Sequence, residues 1–193
     1  MHPFSWLYVR MLLWAAHPRA PWYLGSLSFA ESSFFPIPPD VMLAPMSLAR
    51  PQRAMWYATI TTLTSVAGGV LGYLIGYFAL SVVLPWVEAA GQYGAYQQAR
   101  EWFSDWGFWV VLLAGFSPVP YKVFTIAAGA MGVGIVPFIL ASLVGRGSRF
   151  YLVAGLVSWG GPKVEPALRA WIDRLGWATV ALLILGYVIY RLL

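Results

Sequence analysis

The sequence predicts an all-α integral membrane protein in one domain, 1–193. It is expected to hold two opposed re-entrant helical hairpins in an inverted repeat, about three transmembrane helices and an N-terminal interfacial helix. Three observations predict this class. The chain is 60% hydrophobic and only 10% charged, with a mean hydropathy of +0.70. A soluble domain carries roughly 25% charged residues, so this one cannot cover its own surface in water. Two apolar stretches are broken by related segments, Pro36-Ile37-Pro38-Pro39-Asp40-Val41 and Pro118-Val119-Pro120-Tyr121-Lys122-Val123. Paired proline-interrupted segments in two halves of a membrane protein point to a transport site near the midplane. The net charge of +5 is also unevenly distributed along the chain.

Residues 4–16 read as a short amphipathic helix at the membrane interface, with Arg10 and His17 toward its polar side. A cleaved leader fits poorly, since the start lacks a positive region and Arg10 interrupts the apolar run. Residues 22–49 form the first broken segment. Each arm is shorter than the roughly 20 residues that a crossing needs, so a hairpin entering and leaving on one side fits better. Pro36, Pro38 and Pro39 remove backbone donors and stop the helix, opening backbone toward a polar cavity.

Residues 55–83 run without a charge and are long enough to span with tilt. Gly68, Gly72 and Gly76 recur every four residues there and offer one face to a closely packed helix. A polar connection around 88–105 holds Glu88, Arg100, Glu101 and Asp105. The second broken segment, 107–133, is interrupted at Pro118 and Pro120. Residues 135–159 form another span, ended by Gly160-Gly161-Pro162, and 175–190 form the last.

If both broken segments are re-entrant, Arg10, Arg19, Arg50, Arg53, Lys163, Arg169 and Arg174 fall on one side of the membrane. Arg100, Arg191 and three acids fall on the other. The positive-inside rule then makes the first side cytoplasmic, with the N-terminus there, in a multi-pass protein. The hairpins enter from opposite faces.

Five ionisable residues lie at membrane depth: Glu31, Asp40, Lys122, Arg146 and Arg149. A charge in hydrocarbon costs roughly 2.5–3.5 kcal/mol on insertion scales and usually marks a pathway or site. The group sums to one net positive charge, which suits an anionic headgroup, and arginine grips phosphate at two points. If the tips meet, Asp40 and Lys122 are natural neighbours; a structural ion pair between them is the plainer alternative. Glu31 or Asp40 could also carry protons. An enzyme is not expected. There is no Gly-x-Ser-x-Gly or His-Glu-x-x-His pattern, and the only histidines are His2 and His17. Cys 0 removes thiolate metal sites; no metal or cofactor is expected. Nucleic acid is not an expected partner, because no basic stripe runs through polar surface. A homo-oligomer is compatible with the sequence.

Three blocks carry a resemblance. They are Glu31 to Asp40 (ESSFFPIPPD), Gly115 to Gly129 (GFSPVPYKVFTIAAG) and Gly145 to Phe150 (GRGSRF). In this order and spacing they resemble the DedA family, and more narrowly its YqaA-type bacterial branch, within the VTT (SNARE-associated) group. The resemblance covers about 22–158. It implies a bacterial inner-membrane protein with two opposed re-entrant hairpins that moves lipid between leaflets, either undecaprenyl phosphate or phospholipid. It implies membrane carboxylates at Glu31 and Asp40, and a helix arginine at Arg146 or Arg149. Many members carry arginine in the second hairpin, where this chain has Lys122, which keeps the charge and loses the fork. The expected function is thus a lipid flippase or scramblase acting on anionic lipid, with proton coupling open. A proton-coupled small-solute or ion transporter and a structural membrane assembly factor are the alternatives.

Overall fold

The computed structural model describes residues 17–35, 37–117 and 121–161. The interfacial helix expected over 4–16, the last span over 175–190, and Pro36, Pro118 and Pro120 lie outside the described residues. Among those described, all regular structure is helical: α1 (Ala20–Ser33), α2 (Asp40–Ala49), a 3-10 turn (Pro51–Arg53), α3 (Ala54–Ala89), α4 (Tyr93–Phe116), α5 (Tyr121–Ala130) and α6 (Ile135–Gly160).

Local sequence sets most of these ends. α1 opens with Pro21 in its first turn, where a missing N–H costs nothing. It stops at Ser33, just ahead of the Pro36 to Pro39 run. α2 starts after Pro39 with Asp40 in its first turn, where the helix dipole favours a negative charge. α4 ends at Phe116, and the Ser117 that caps it has the extended backbone (ψ 155°) that a following proline imposes. Gly91, Gly132 and Gly161 take positive φ at the three turns that end α3, α5 and α6.

Two elements differ from the sequence reading. α3 runs on through Pro85 to Ala89, beyond the span read as 55–83. The polar connection around 88–105 is mostly helix, because α4 begins at Tyr93; the first arm of the second broken segment therefore starts earlier than 107. A 36-residue helix is about 54 Å long, well past the ~30 Å of a hydrocarbon core.

The helices fall into two three-helix units with matching contacts. α1 packs on α3, and α4 packs on α6. The second arms cross over: α2 packs mainly on α6 and α5 on α3. Within each unit, first arm and long helix run the same way. Gly25 meets Ile60 and Thr64, and Phe29 meets Gly68; likewise Gly107 meets Val133, and Gly115 meets Gly145. α3 and α6 are antiparallel, since Tyr73 stacks on Phe138 while Thr59 bonds Tyr151 at 2.7 Å. The first broken segment thus starts and ends beside Ala54, in a cluster of Ala20, Leu24, Leu43, Met46, Tyr57, Phe150 and Ala154. The second starts and ends toward the opposite end of α3, where Tyr96 faces Ala130. The described residues that flank the two breaks meet midway.

Glycine makes that meeting close. A Cβ on Gly68 would overlap the Phe29 carbonyl, and one on Gly76 the Ile126 carbonyl; one on Gly72 would meet Thr125 Oγ1. The four-residue stripe therefore serves α1 at one end and α5 at the other. Gly76→Ala should lower stability by about 1–3 kcal/mol, because backbone must shift to admit it. Gly94→Ala, in open space on α4, should be neutral or raise stability by up to about 1 kcal/mol. Thermal melting of both variants in one detergent checks the opposite signs.

Candidate functional site

The tips bring together residues from five helices. Arg146 on α6 is 2% exposed and is the largest fully buried side chain described. It lies 11 residues from Ile135 and 14 from Gly160, near the helix middle. Gly145 makes room by letting α6 touch the Leu112 carbonyl on α4. The guanidinium is sandwiched between Tyr121 and Phe150, with ring centroids at 4.9 and 4.6 Å. Its Nε donates to Ser65 Oγ at 2.6 Å on α3. Its Nη2 donates to the Glu31 carboxylate on α1 and, at 3.4 Å, to Ser32 Oγ. Ser32 also bonds Ser65 (2.8 Å) and donates to Glu31 (3.0 Å). Tyr121 hydrogen-bonds Ser142. The buried guanidinium thus has a countercharge, hydrogen-bond acceptors and two ring faces around it, which a buried ion pair requires.

A second pair sits one step outward. Arg149 Nη2 donates to Asp40 Oδ2 at 2.7 Å, and its Nη1 donates to the Ser117 carbonyl at 2.5 Å. This guanidinium ties both breaks together: the start of α2 through Asp40 and the end of α4 through Ser117. Its side chain is 15% exposed. Asp40 Oδ1 is buried and accepts no hydrogen bond among the described residues. Asp40 Oδ1 is therefore an open acceptor of the outer pair among the described residues.

Lys122 lies elsewhere than expected. Asp40 pairs with Arg149, and the partly exposed Lys122 donates to the Phe34 carbonyl at 3.4 Å, across the two tips. The reason is reach: α6 carries Arg149 against the start of α2, while Lys122 opens α5 beside the end of α1. Of the sequence candidates, Glu31, Asp40, Arg146 and Arg149 converge as two ion pairs, and Lys122 flanks them. Gly72 lies against Thr125 and the Ser32 carbonyl directly beneath the cluster. Pro38 and Pro39 precede Asp40 in the first tip.

Ser32, Ser65, Tyr121 and Phe150 belong to the site but were not singled out from sequence. Hydroxyls in apolar helices often bond their own backbone, as Thr61 and Thr62 do here, so Ser65 carries no separate signal. Tyr121 adjoins Lys122 in the second break and was the one legible hint. No group of three or more His, Asp or Glu able to hold a metal occurs among the described residues.

Chemically, the arrangement presents three cations and two carboxylates midway along the bundle. An anion with two or more oxygens could replace Asp40 on the Arg149 fork without disturbing the inner pair. α3 with its 3-10 turn (Pro51–Ala89) and α6 are each long and apolar enough to cross a membrane.

The comparisons with known proteins agree with this setting. The profile described as the VTT domain matches residues 37–159. A Haemophilus influenzae protein, named only as uncharacterized, is 44% identical over 191 residues, covering 99% of this chain and all of its own length. A Histophilus somni protein, named as an uncharacterized homologue, is 41% identical over the same coverage. No solved structure matches.

Proposed function

The chain belongs to the VTT-domain family, the domain of the DedA membrane proteins, and from that premise we propose that it moves anionic lipid between the leaflets of a bacterial inner membrane. The cargo is undecaprenyl phosphate or a phospholipid, and the family branch is the YqaA type. The two broken segments act as re-entrant hairpins entering from opposite faces, as inverted-repeat transporters use them. Arg19, Arg50 and Arg53 gather at the end where α1 starts, while Glu88, Arg100, Glu101 and Asp105 gather at the other. That asymmetry supports a cytoplasmic first end, and with it a cytoplasmic N-terminus, by the positive-inside rule.

The observation that carries this reading is the outer pair. Arg149 holds both breaks, is partly exposed, and faces a carboxylate with one oxygen unpartnered among the described residues. A phosphate headgroup entering between the tips takes the Arg149 fork in place of Asp40, and Lys122 supplies the first attraction. Releasing Asp40 frees the start of α2 from α6, and releasing Ser117 frees the end of α4. The headgroup passes while its chains stay in lipid. Protonation of the displaced Asp40 would couple the step to a proton gradient.

The test is transbilayer movement in proteoliposomes holding either fluorescent undecaprenyl phosphate or fluorescent phospholipids, with and without an imposed proton gradient. Movement of anionic lipid above protein-free vesicles supports the reading, and its response to the gradient separates driven flipping from scrambling. Uptake of soluble phosphate without lipid movement would replace it with the small-solute alternative.

A further inference from the structure

Away from the tips, α1 and α3 leave a groove of about 710 Å3 between them on the outer face of the bundle, lined by Trp22, Gly25, Phe29, Trp56, Ile60 and Thr64 among others. That volume is in the range of sites that take a small organic ligand. Its floor exists because Gly25 has no side chain: a Cβ there would stand 3.2 Å from Thr64 Cγ2. Trp22 is 79% exposed and Trp56 58%, so both indoles flank the opening.

The two walls carry the same register. Positions 22, 26 and 29 on α1, and 56, 60 and 64 on α3, recur at three and four residues and so line one face of each helix. Extended one step toward the helix starts, each stripe ends in an exposed arginine: Arg19, which precedes α1, and Arg53, which precedes α3. Because α1 and α3 run the same way, both arginines stand at the same end of the groove. From Arg53 to Thr64 the helix rises about 16 Å, close to the ~15 Å depth of one leaflet. Tryptophans near the charged end sit at the depth where aromatic belts form.

We propose that this groove is a binding site for one membrane phospholipid with an anionic headgroup, taken from the leaflet at the basic end. Its phosphate lies between Arg19 and Arg53, and one acyl chain lies along Gly25 and Ile60. The inference rests on the chain lying in a bilayer, not on lipid transport, so the two stand or fall separately.

The experiment is native mass spectrometry of the full chain released from detergent with phosphatidylglycerol or phosphatidylcholine of identical chains. The wild type should hold phosphatidylglycerol about 25-fold better, roughly fivefold from each arginine. R19Q combined with R53Q should bring the two lipids to parity. S26W, a filling substitution at an exposed groove position, should weaken both lipids at least fivefold. Equal binding of both lipids by the wild type would overturn the proposal. So would an unaltered S26W, which would leave the groove to residues 4–16 of the same chain. A change of oligomeric state in S26W without a change in bound lipid would overturn it as well, assigning the groove to a second copy.

Discussion

Arg146→Ala should destabilise the protein by about 3–5 kcal/mol, the usual cost of leaving one member of a buried ion pair without its partner. Glu31 would lose its guanidinium while remaining 8% exposed, with only Ser32 still donating to it. Tyr121 and Phe150 would lose the cation between their rings, and the space it filled would become a cavity. Glu31→Gln alone should cost nearly as much, because Arg146 would then be the unpaired charge. The double variant Glu31→Gln with Arg146→Met should recover much of the loss, since neither charge remains. Thermal melting in detergent, with tryptophan fluorescence as readout, gives the cycle. Additive losses would mean that the two side chains do not act as a pair.

The second large effect is on movement of lipid rather than on folding. Arg149→Gln should reduce transbilayer lipid movement to the level of empty vesicles, with a melting temperature lowered far less than in Arg146→Ala. The difference follows from the cation's setting: Arg149 is 15% exposed, whereas Arg146 is 2% exposed and lies against two rings. Removing Arg149 therefore leaves a smaller cavity and fewer lost contacts, although Asp40 is itself buried. Arg149→Lys keeps the charge but cannot bond Asp40 and the Ser117 carbonyl at once in the same planar geometry. It should retain roughly a tenth of the wild-type rate, as expected for the loss of one charge-assisted hydrogen bond of about 1.5 kcal/mol. Full activity in Arg149→Lys would mean that charge alone suffices and that the fork plays no part.

Much of this site was legible because its chemistry is costly. Glu31, Asp40, Arg146 and Arg149 stand out as charges in apolar sequence, and Pro38 and Pro39 announce the first break by composition alone. Partner choice was not legible. Arg146 and Arg149 lie three residues apart, which turns them by about 60° around the axis and separates them by ~4.5 Å along it. That offset sends one to α1 and the other to α2, and only the packed position of α6 decides which acid each meets. The Asp40–Lys122 pairing fails for the same reason: matching positions in two breaks say nothing about lateral offset between α2 and α5. The glycine stripe on α3 promised close approach but not that Gly68 would serve α1 and Gly76 α5. The helical character of 88–105 was hidden because charge and polarity mark a membrane exit and a loop alike. α3 and α4 stay helical past the apolar core, joined by the short turn at Gly91.

In the proposed function, Asp40 and Arg149 form the exchangeable half of the site, opened when a phosphate headgroup enters. The most direct measurement is the rate of transbilayer movement of fluorescent undecaprenyl phosphate in proteoliposomes holding the wild type or Asp40→Asn, at equal protein density and confirmed folding. Wild-type movement should lie well above that of empty vesicles, with at least a tenfold loss in Asp40→Asn. Equal rates for the two proteins would contradict it, leaving the pair a structural tie between the hairpin tips.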